Sequence, residues 1–151
     1  LLGILAQRLA KRLCKCKKPY IASKQEIKSL LTEYCEELRH INRFKDNPVV
    51  AYQEINDDWI KQYGNDQGEI TLYKPAGCDD CTNSGFAGRV ALHELLRASD
   101  EIKKNIQEHA RVAEMLVTAL GDGMRTLKQD GIEKVLQGVT DIHQVRVVCI
   151  K

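Results

Sequence analysis

The stretch LLGILAQRLAKRLCKCKKPY, residues 1–20, joins an apolar and basic run to two cysteines one residue apart, Cys14 and Cys16. Leu1, Leu2, Leu5, Leu9 and Leu13 recur at helical spacing with Gln7, Arg8, Lys11 and Arg12 on the other faces, which predicts an amphipathic helix ending at the first cysteine. A second pair follows in CDDC, Cys78 to Cys81. The fold turns on whether the two pairs meet, because a shared site would tie together segments separated by residues 17–77.

The chain has 151 residues, enough for one domain or two small ones that bury about two-thirds of their unfolded surface. With 43% hydrophobic and 29% charged residues but three prolines and ten glycines, it belongs with folded globular proteins and not with disordered tails. A net charge of +2 selects no class of partner. Lysines and arginines follow the first apolar run, where a secretory signal would place them before it. No stretch approaches the roughly 18 apolar residues of a membrane span. The periodic pattern is already running at the first residue, a leucine, without a capping residue, so we expect a piece of a longer, cytoplasmic protein. In that compartment six cysteines point to metal ligation or free thiols rather than disulfides.

Ser23 followed by Glu26 has capping-box spacing and opens a second helix carrying Ile27, Leu30, Leu31, Tyr34 and Leu38 as far as His40, before DNPV breaks it. Residues 49–59 fit a short strand or a helix. Ile70 and Leu72 alternate against Thr71 and Tyr73 in a strand stopped by Pro75 and Gly77, and another runs from Arg89 to Leu95. These two are expected to pair as a hairpin with CDDC at its tip. Ser99 can cap a helix whose first turn carries Asp100 and Glu101. A stripe of Val112, Met115, Leu116, Ala119 and Leu120 ends at Gly121, a further turn or two from Met124 to Leu136 is broken by Gly131 and Gly138, and Thr140 caps a last helix holding Ile142, Val145 and Val148. The expected class is α+β, mainly α: amphipathic helices with a small β-hairpin carrying a tetracysteine metal-binding subdomain, then a small all-α subdomain.

Structural zinc takes four thiolate or imidazole ligands, commonly from two close pairs. The C-x-x-C spacing of Cys78 and Cys81 lets turn residues aim both sulfurs at one ion, and the C-x-C of Cys14 and Cys16 puts both sulfurs on one side of an extended strand. The plain alternative is free cysteines in ordinary turns. Against it, the settings KRLCKCKK and GCDDCTNSG are charged or polar, where a merely apolar cysteine is out of place. If Cys16 cannot reach, Cys35 or His40 could replace it. Cys35 and Cys149 are expected to be buried thiols. KRLCKCKK could contact phosphate or acidic protein, but a charge run is usually a solvated helix end, and this one lacks interleaved aromatics. His93, among Ala91, Leu92 and Leu95, reads as structural because nothing nearby completes a triad. Asp79 and Asp80 tune the charge of the cysteine turn or face water. GxxxxGK[ST] does not occur, so this chain has no phosphate-cradling loop of that type.

Taken together, LLGILAQRLAKRLCKCKKPY, ITLYKPAGCDDCTNSGFAGRVALHELL and GMRTLKQDGIEKVLQGVT resemble, in the same order, the C-terminal part of the secretion ATPases of type II secretion and type IV pilus assembly systems. The resemblance covers about half the chain. It implies a RecA-like ATPase core upstream, holding the Walker A loop and the acidic and histidine boxes. Residues 1–13 would then be the last helix of that core, residues 14–98 a tetracysteine metal-binding subdomain and residues 99–151 a C-terminal helical subdomain. By resemblance the zinc ligands are Cys14, Cys16, Cys78 and Cys81. Arg8 matches the arginine of the family's Q-R-L segment, which implies a nucleotide-binding or inter-subunit role beside the plain reading of a solvated arginine. Two departures stand out. The family usually has C-x-x-C in the first pair, and the 17–77 segment is longer than the family pattern, which implies a helical insertion at about 23–63.

The implied function belongs to a parent protein. That protein would be a cytoplasmic, hexameric ATPase, peripheral at the inner membrane through its partners. It would bind ATP and magnesium and drive pilin or pseudopilin assembly through an inner-membrane platform protein and regulatory subunits, with no nucleic acid involved. This chain would be its metal-stabilised structural and partner-contact region, inactive alone. The alternative is a free-standing zinc-binding interaction module, including a nucleic-acid reader built on the basic cysteine turn, which would bind nucleic acid in a salt-sensitive way. A third reading, a redox switch through the two pairs, needs a depressed thiol pKa that Lys11, Lys15, Lys17 and Lys18 could supply.

Overall fold

Leucines four residues apart satisfy a helix and a strand equally, because four is a multiple of the two-residue strand repeat. In the computed structural model, which describes residues 2–149, Gly3–Leu13 is a strand, β1, and the expected helix does not form. Leu1, part of that helix reading, and Ile150 and Lys151, at the end of the expected C-terminal subdomain, lie outside the described residues. The strand wins because it has a partner. Phe86–Arg97, here β4, pairs with it antiparallel from Gly3 opposite Arg97 to Leu13 opposite Phe86, with a bulge between Lys11 and Leu13. Alternation then buries Ala10 and Leu92 on one face, while Leu5, Leu9 and Leu95 on the other stay about half exposed.

A second, shorter ribbon pairs β2, Lys18–Ile21, with β3, Thr71–Lys74. Both strands read on either side of CDDC therefore exist, but they do not form a hairpin with each other. Each pairs with a strand from the start of the chain. The cause is the cysteine turn, which carries the chain from one ribbon into the other instead of folding it back. The α+β class stands, with its small strand pairs beside seven helices among the described residues.

The helices follow their local signals closely. Helix α1, Lys24–Glu36, opens with the Ser23–Glu26 capping box. DNPV ends α2, Asn42–Asp46, and also starts α3, Pro48–Tyr63, because proline suits a first helical turn and the Asn47 side chain accepts from the Val50 N–H. Residues 49–59 are thus helical. Ser99 caps α4, Asp100–Gln107, as expected, and α5 spans Val112–Gly121. Helix α6 is a full Leu127–Leu136 capped by Thr126, and Gly131 lies buried within it instead of breaking it. Asp141, not Thr140, caps α7, Ile142–Val148; Thr140 is buried and donates from Oγ1 to the Lys11 carbonyl at 2.8 Å.

One core joins these pieces: Ala10 and Leu92 of the long ribbon, Leu72 of the short one, Leu30 and Tyr34 of α1, Trp59 of α3, Ile132 and Val135 of α6 and Val145 of α7. The edge of β4 is covered by α6, whose Asp130 accepts from the His93 N–H at 2.8 Å and whose Leu127 N–H donates to Glu94 at 2.9 Å. Helix α7 is tied to α1 by Arg146, which donates to Glu33, and Lys128 of α6 reaches the same carboxylate at 3.5 Å. Burial pushes the Glu33 carboxyl upward, but Arg146 and Lys128 outweigh it and hold the group below its ordinary value.

A Cβ on Gly131 would sit 2.5 Å from Val145 Cγ1 and 3.1 Å from a Leu92 methyl. Gly131→Ala should therefore destabilise by about 1–3 kcal/mol through overpacking, although alanine is favoured by about 1 kcal/mol in an open helix. Urea unfolding decides the sign. A depressed carboxylate stabilises the fold above its unfolded pKa of about 4.3 and ceases to as pH falls through the lower folded value. Stability measured from pH 7 to pH 3 should accordingly fall more steeply below about pH 4 in the wild type than in Glu33→Gln.

Candidate metal centre

The first cysteine turn begins where β1 runs out of partner. The Cys14 N–H donates to the Gly85 carbonyl at 2.9 Å, and the Lys17 N–H closes a four-residue turn onto the Cys14 carbonyl at 2.9 Å. Cys14 is buried and Cys16 half-buried. The second turn leaves β3 after Lys74, makes a short 3-10 turn at Asp79–Cys81, and reverses through Thr82 and Asn83, both left-handed at φ 53° and 60°. An N–H from Asn83 to the Cys78 carbonyl at 2.9 Å closes it. Gly85, at φ 84°, completes the reversal, and a Cβ there would lie 2.5 Å from Pro75 Cβ, so only glycine fits.

These turns bring all four sulfurs to within 4.8 Å of one another. Cys14 Sγ lies 3.7 Å from Cys78 Sγ, Cys16 Sγ 3.8 Å from Cys81 Sγ, and Cys78 Sγ 3.7 Å from Cys81 Sγ. Sulfurs about 2.3 Å from a tetrahedral zinc lie about 3.8 Å apart along each edge. A disulfide needs about 2.05 Å, and all six cysteines are free thiols. The spacing therefore suits four ligands around one ion and does not suit crosslinks, and the short C-x-C pair reaches as well as the longer one. Cys35 and His40, the alternatives to Cys16, lie outside the cluster.

The second turn also supplies the electrostatics. Burial opposes ionisation of Cys81, but the N–H groups of Gly85 and Cys78, each 3.3 Å from its sulfur, bring this thiol down to about 6. Desolvation, then hydrogen bonding with Cys78, Cys14 and Cys81, pushes Cys16 up to about 12. Lys15 and Asp80 pair across the turns at 2.6 Å, which raises the Lys15 pKa. Both are well exposed, so the pair adds little to stability.

The other candidates lie apart. Arg8 is exposed in mid-β1, opposite Leu92, and donates to the neighbouring Gln7 carbonyl. It is six residues from Cys14, about 20 Å along a strand. His93 is exposed, since alternation turns Leu92 inward in its place, so the expectation of a structural histidine among apolar neighbours is corrected. Cys35 and Cys149 are half-buried rather than buried, and desolvation lifts Cys35 to about 11 and raises Cys149 as well. Sequence reasoning named Lys17 only as one of the flanking cations and Thr140 only as a helix cap, and missed the hydrogen bonds both make beside the centre. The alternation of small and polar residues in TNSG was the available sign of the left-handed reversal.

A family model described as type II/IV secretion system protein matches residues 1–147, and the chain belongs to that family. It is 35% identical over 146 residues to a type II secretion system protein E of Dickeya dadantii, covering 96% of this chain and 22% of that protein. It is 32% identical to the type IV pilus assembly ATPase PilB of Thermus thermophilus, covering 96% of this chain and 13% of that protein. With the type II secretion system ATPase E of Vibrio cholerae it shares 30% identity over 96% of this chain and 22% of that protein. The chain thus spans between about an eighth and a fifth of the length of these relatives. Among the described residues, no helix is long and apolar enough to cross a membrane.

Since Gly85 both takes a left-handed conformation against Pro75 and donates to Cys81, Gly85→Ala should loosen the second turn. Cobalt(II) titration of the variant, followed by its thiolate charge-transfer band, should show affinity at least tenfold weaker, in line with the loss of supporting contacts around a metal site.

Proposed function

We propose that this chain is the metal-braced region of a type II secretion or type IV pilus assembly ATPase, serving as a rigid junction and partner-contact surface and not as the hydrolytic centre. What carries the reading is the convergence of four sulfurs at tetrahedral spacing where the two ribbons join. Zinc held by Cys14, Cys16, Cys78 and Cys81 would have four protein ligands and no open position, so it would crosslink rather than catalyse.

In this reading, the parent is a cytoplasmic hexamer whose core binds ATP and magnesium and which acts at the inner membrane through a platform protein and regulatory subunits. Residues 1–13 link to that core, with β1 as the strand within them, residues 14–98 hold the metal and residues 99–151 form the C-terminal helical part. Arg8 would serve a nucleotide or a neighbouring subunit, a role its exposure on β1 supports. Partner contact is supported by Lys11 facing Arg89 and Lys18 facing Lys74 across the ribbons. Like charges directly opposite cost stability. Among the described residues none of these four makes an ion pair. An acidic surface on a partner would relieve them. The same cations favour the nucleic-acid alternative, which strong, salt-sensitive binding to DNA or RNA would establish.

Elemental analysis of the purified chain should find about one zinc per chain, lost in a Cys78→Ser/Cys81→Ser variant. If zinc stands a thousandfold above its Kd, the melting temperature should fall by roughly 10 °C with it. No metal and an unchanged melting temperature would overturn the site. The chain alone should not turn over ATP, and hydrolysis that scales with its concentration would overturn the division of labour.

A further inference from the structure

The connector between α6 and α7 is fastened to the first cysteine turn and the strand leading into it at three successive residues. The Gly138 carbonyl accepts from Lys17 Nζ at 2.6 Å, the Val139 carbonyl accepts from the Leu13 N–H at 2.9 Å, and Thr140 Oγ1 donates to the Lys11 carbonyl at 2.8 Å. The last two satisfy backbone groups on either side of the bulge, where the pairing with β4 shifts register. Lys17 also lies over the Tyr73 ring, 4.4 Å from its centroid. Gly138, buried at φ 80°, packs so closely on that ring that a Cβ would lie 2.7 Å from it. Lys17 is the residue immediately after Cys16, and its own N–H closes the turn that aims Cys14 and Cys16.

We propose that metal occupancy of the four cysteines is coupled to the placement of α6 and α7 through this clasp, with Lys17 as the positioning residue that joins the two. The inference rests on the metal reading above. An ion holding Cys14 and Cys16 fixes the turn, the fixed turn holds Lys17 over Tyr73 and against Gly138, and the connector then sets where α6 ends and α7 begins. Released, the C-x-C turn keeps one internal hydrogen bond, and Lys17 has a solvated alternative. The coupling is reciprocal: whatever loosens residues 138–140 must weaken metal binding by the same factor.

The test uses the whole chain, zinc-loaded and chelator-stripped, with hydrogen exchange followed by mass spectrometry and zinc affinity measured by chelator competition. Zinc should slow exchange across residues 134–148 by roughly tenfold, within the usual range of coupling between sites. Lys17→Met and Thr140→Val should each still bind zinc, but more weakly by a comparable factor, and should lose most of that protection. Lys103→Met removes the same charge from an exposed site on α4, away from the connector, and its zinc affinity should match the wild type. Thr140→Val keeps side-chain volume and acts from the other side of the clasp, so a folding failure of Lys17→Met leaves the test intact. Zinc binding that protects only the cysteine turns, or equal losses in Lys17→Met and Lys103→Met, would overturn the coupling while leaving the site standing. A wild type that takes up no zinc overturns both, and the stoichiometry identifies the site reading as the one at fault.

Discussion

Everything else in this fold depends on two strand pairings that share their ends. Strand β1 passes through the first cysteine turn into β2, and β3 passes through the second into β4. Because β1 pairs with β4 and β2 with β3, the two ribbons are successive stretches of one long antiparallel pair, interrupted once. Register fixes Leu13 opposite Phe86 on one side of the interruption and Lys18 opposite Lys74 on the other. The cysteines fall in the gap between and have nowhere else to point. The metal-compatible cluster is therefore a consequence of backbone pairing, and the residues within each turn refine it.

Such a junction carries a cost without a counter-ion. Four sulfurs at van der Waals distance cannot all ionise, and Cys81 and Cys16 already differ: backbone N–H groups favour the Cys81 thiolate, while desolvation and then hydrogen bonding with the other sulfurs oppose ionisation of Cys16. A divalent ion removes the conflict, since it stabilises the thiolates and accepts the lone pairs that otherwise face one another. The amide groups donating to Cys81 prepare one thiolate in advance, which makes the second turn the better-organised half of the site.

Local signals were legible wherever one residue answers its near neighbours. Ser23 with Glu26, Ser99 with its acidic turn and the C-x-x-C pair each state a short-range geometry, and each appears as read. What failed to show was pairing across distance. The spacing of Leu5, Leu9 and Leu13 is silent between helix and strand until β4 is known to lie alongside. The strands flanking CDDC look like hairpin neighbours until β1 and β2 claim them. Gly131 looks like a helix breaker because its reason, the methyls of Val145 and Leu92, is on other elements. Thr140 looks like a cap because its true partner, the Lys11 carbonyl, is 129 residues away. The cysteine cluster itself was readable because cysteine spacing is a local statement about a long-range event.

The pairing of Ile21 with Thr71 has a consequence for how this protein can vary. Everything between them leaves and returns through adjacent strands about 5 Å apart, so the junction senses where that lobe is anchored and not how long it is. Closing a loop costs only about 0.6 kcal/mol more for each doubling of its length. Part of the lobe is nonetheless committed, since Leu30, Leu31, Tyr34 and Trp59 reach into the common core. The uncommitted part is the outer crossing at residues 39–50, where Phe44 is the one buried side chain. Lineages could lengthen, shorten or redecorate this crossing as a cassette while the cysteine junction beneath it stays in register.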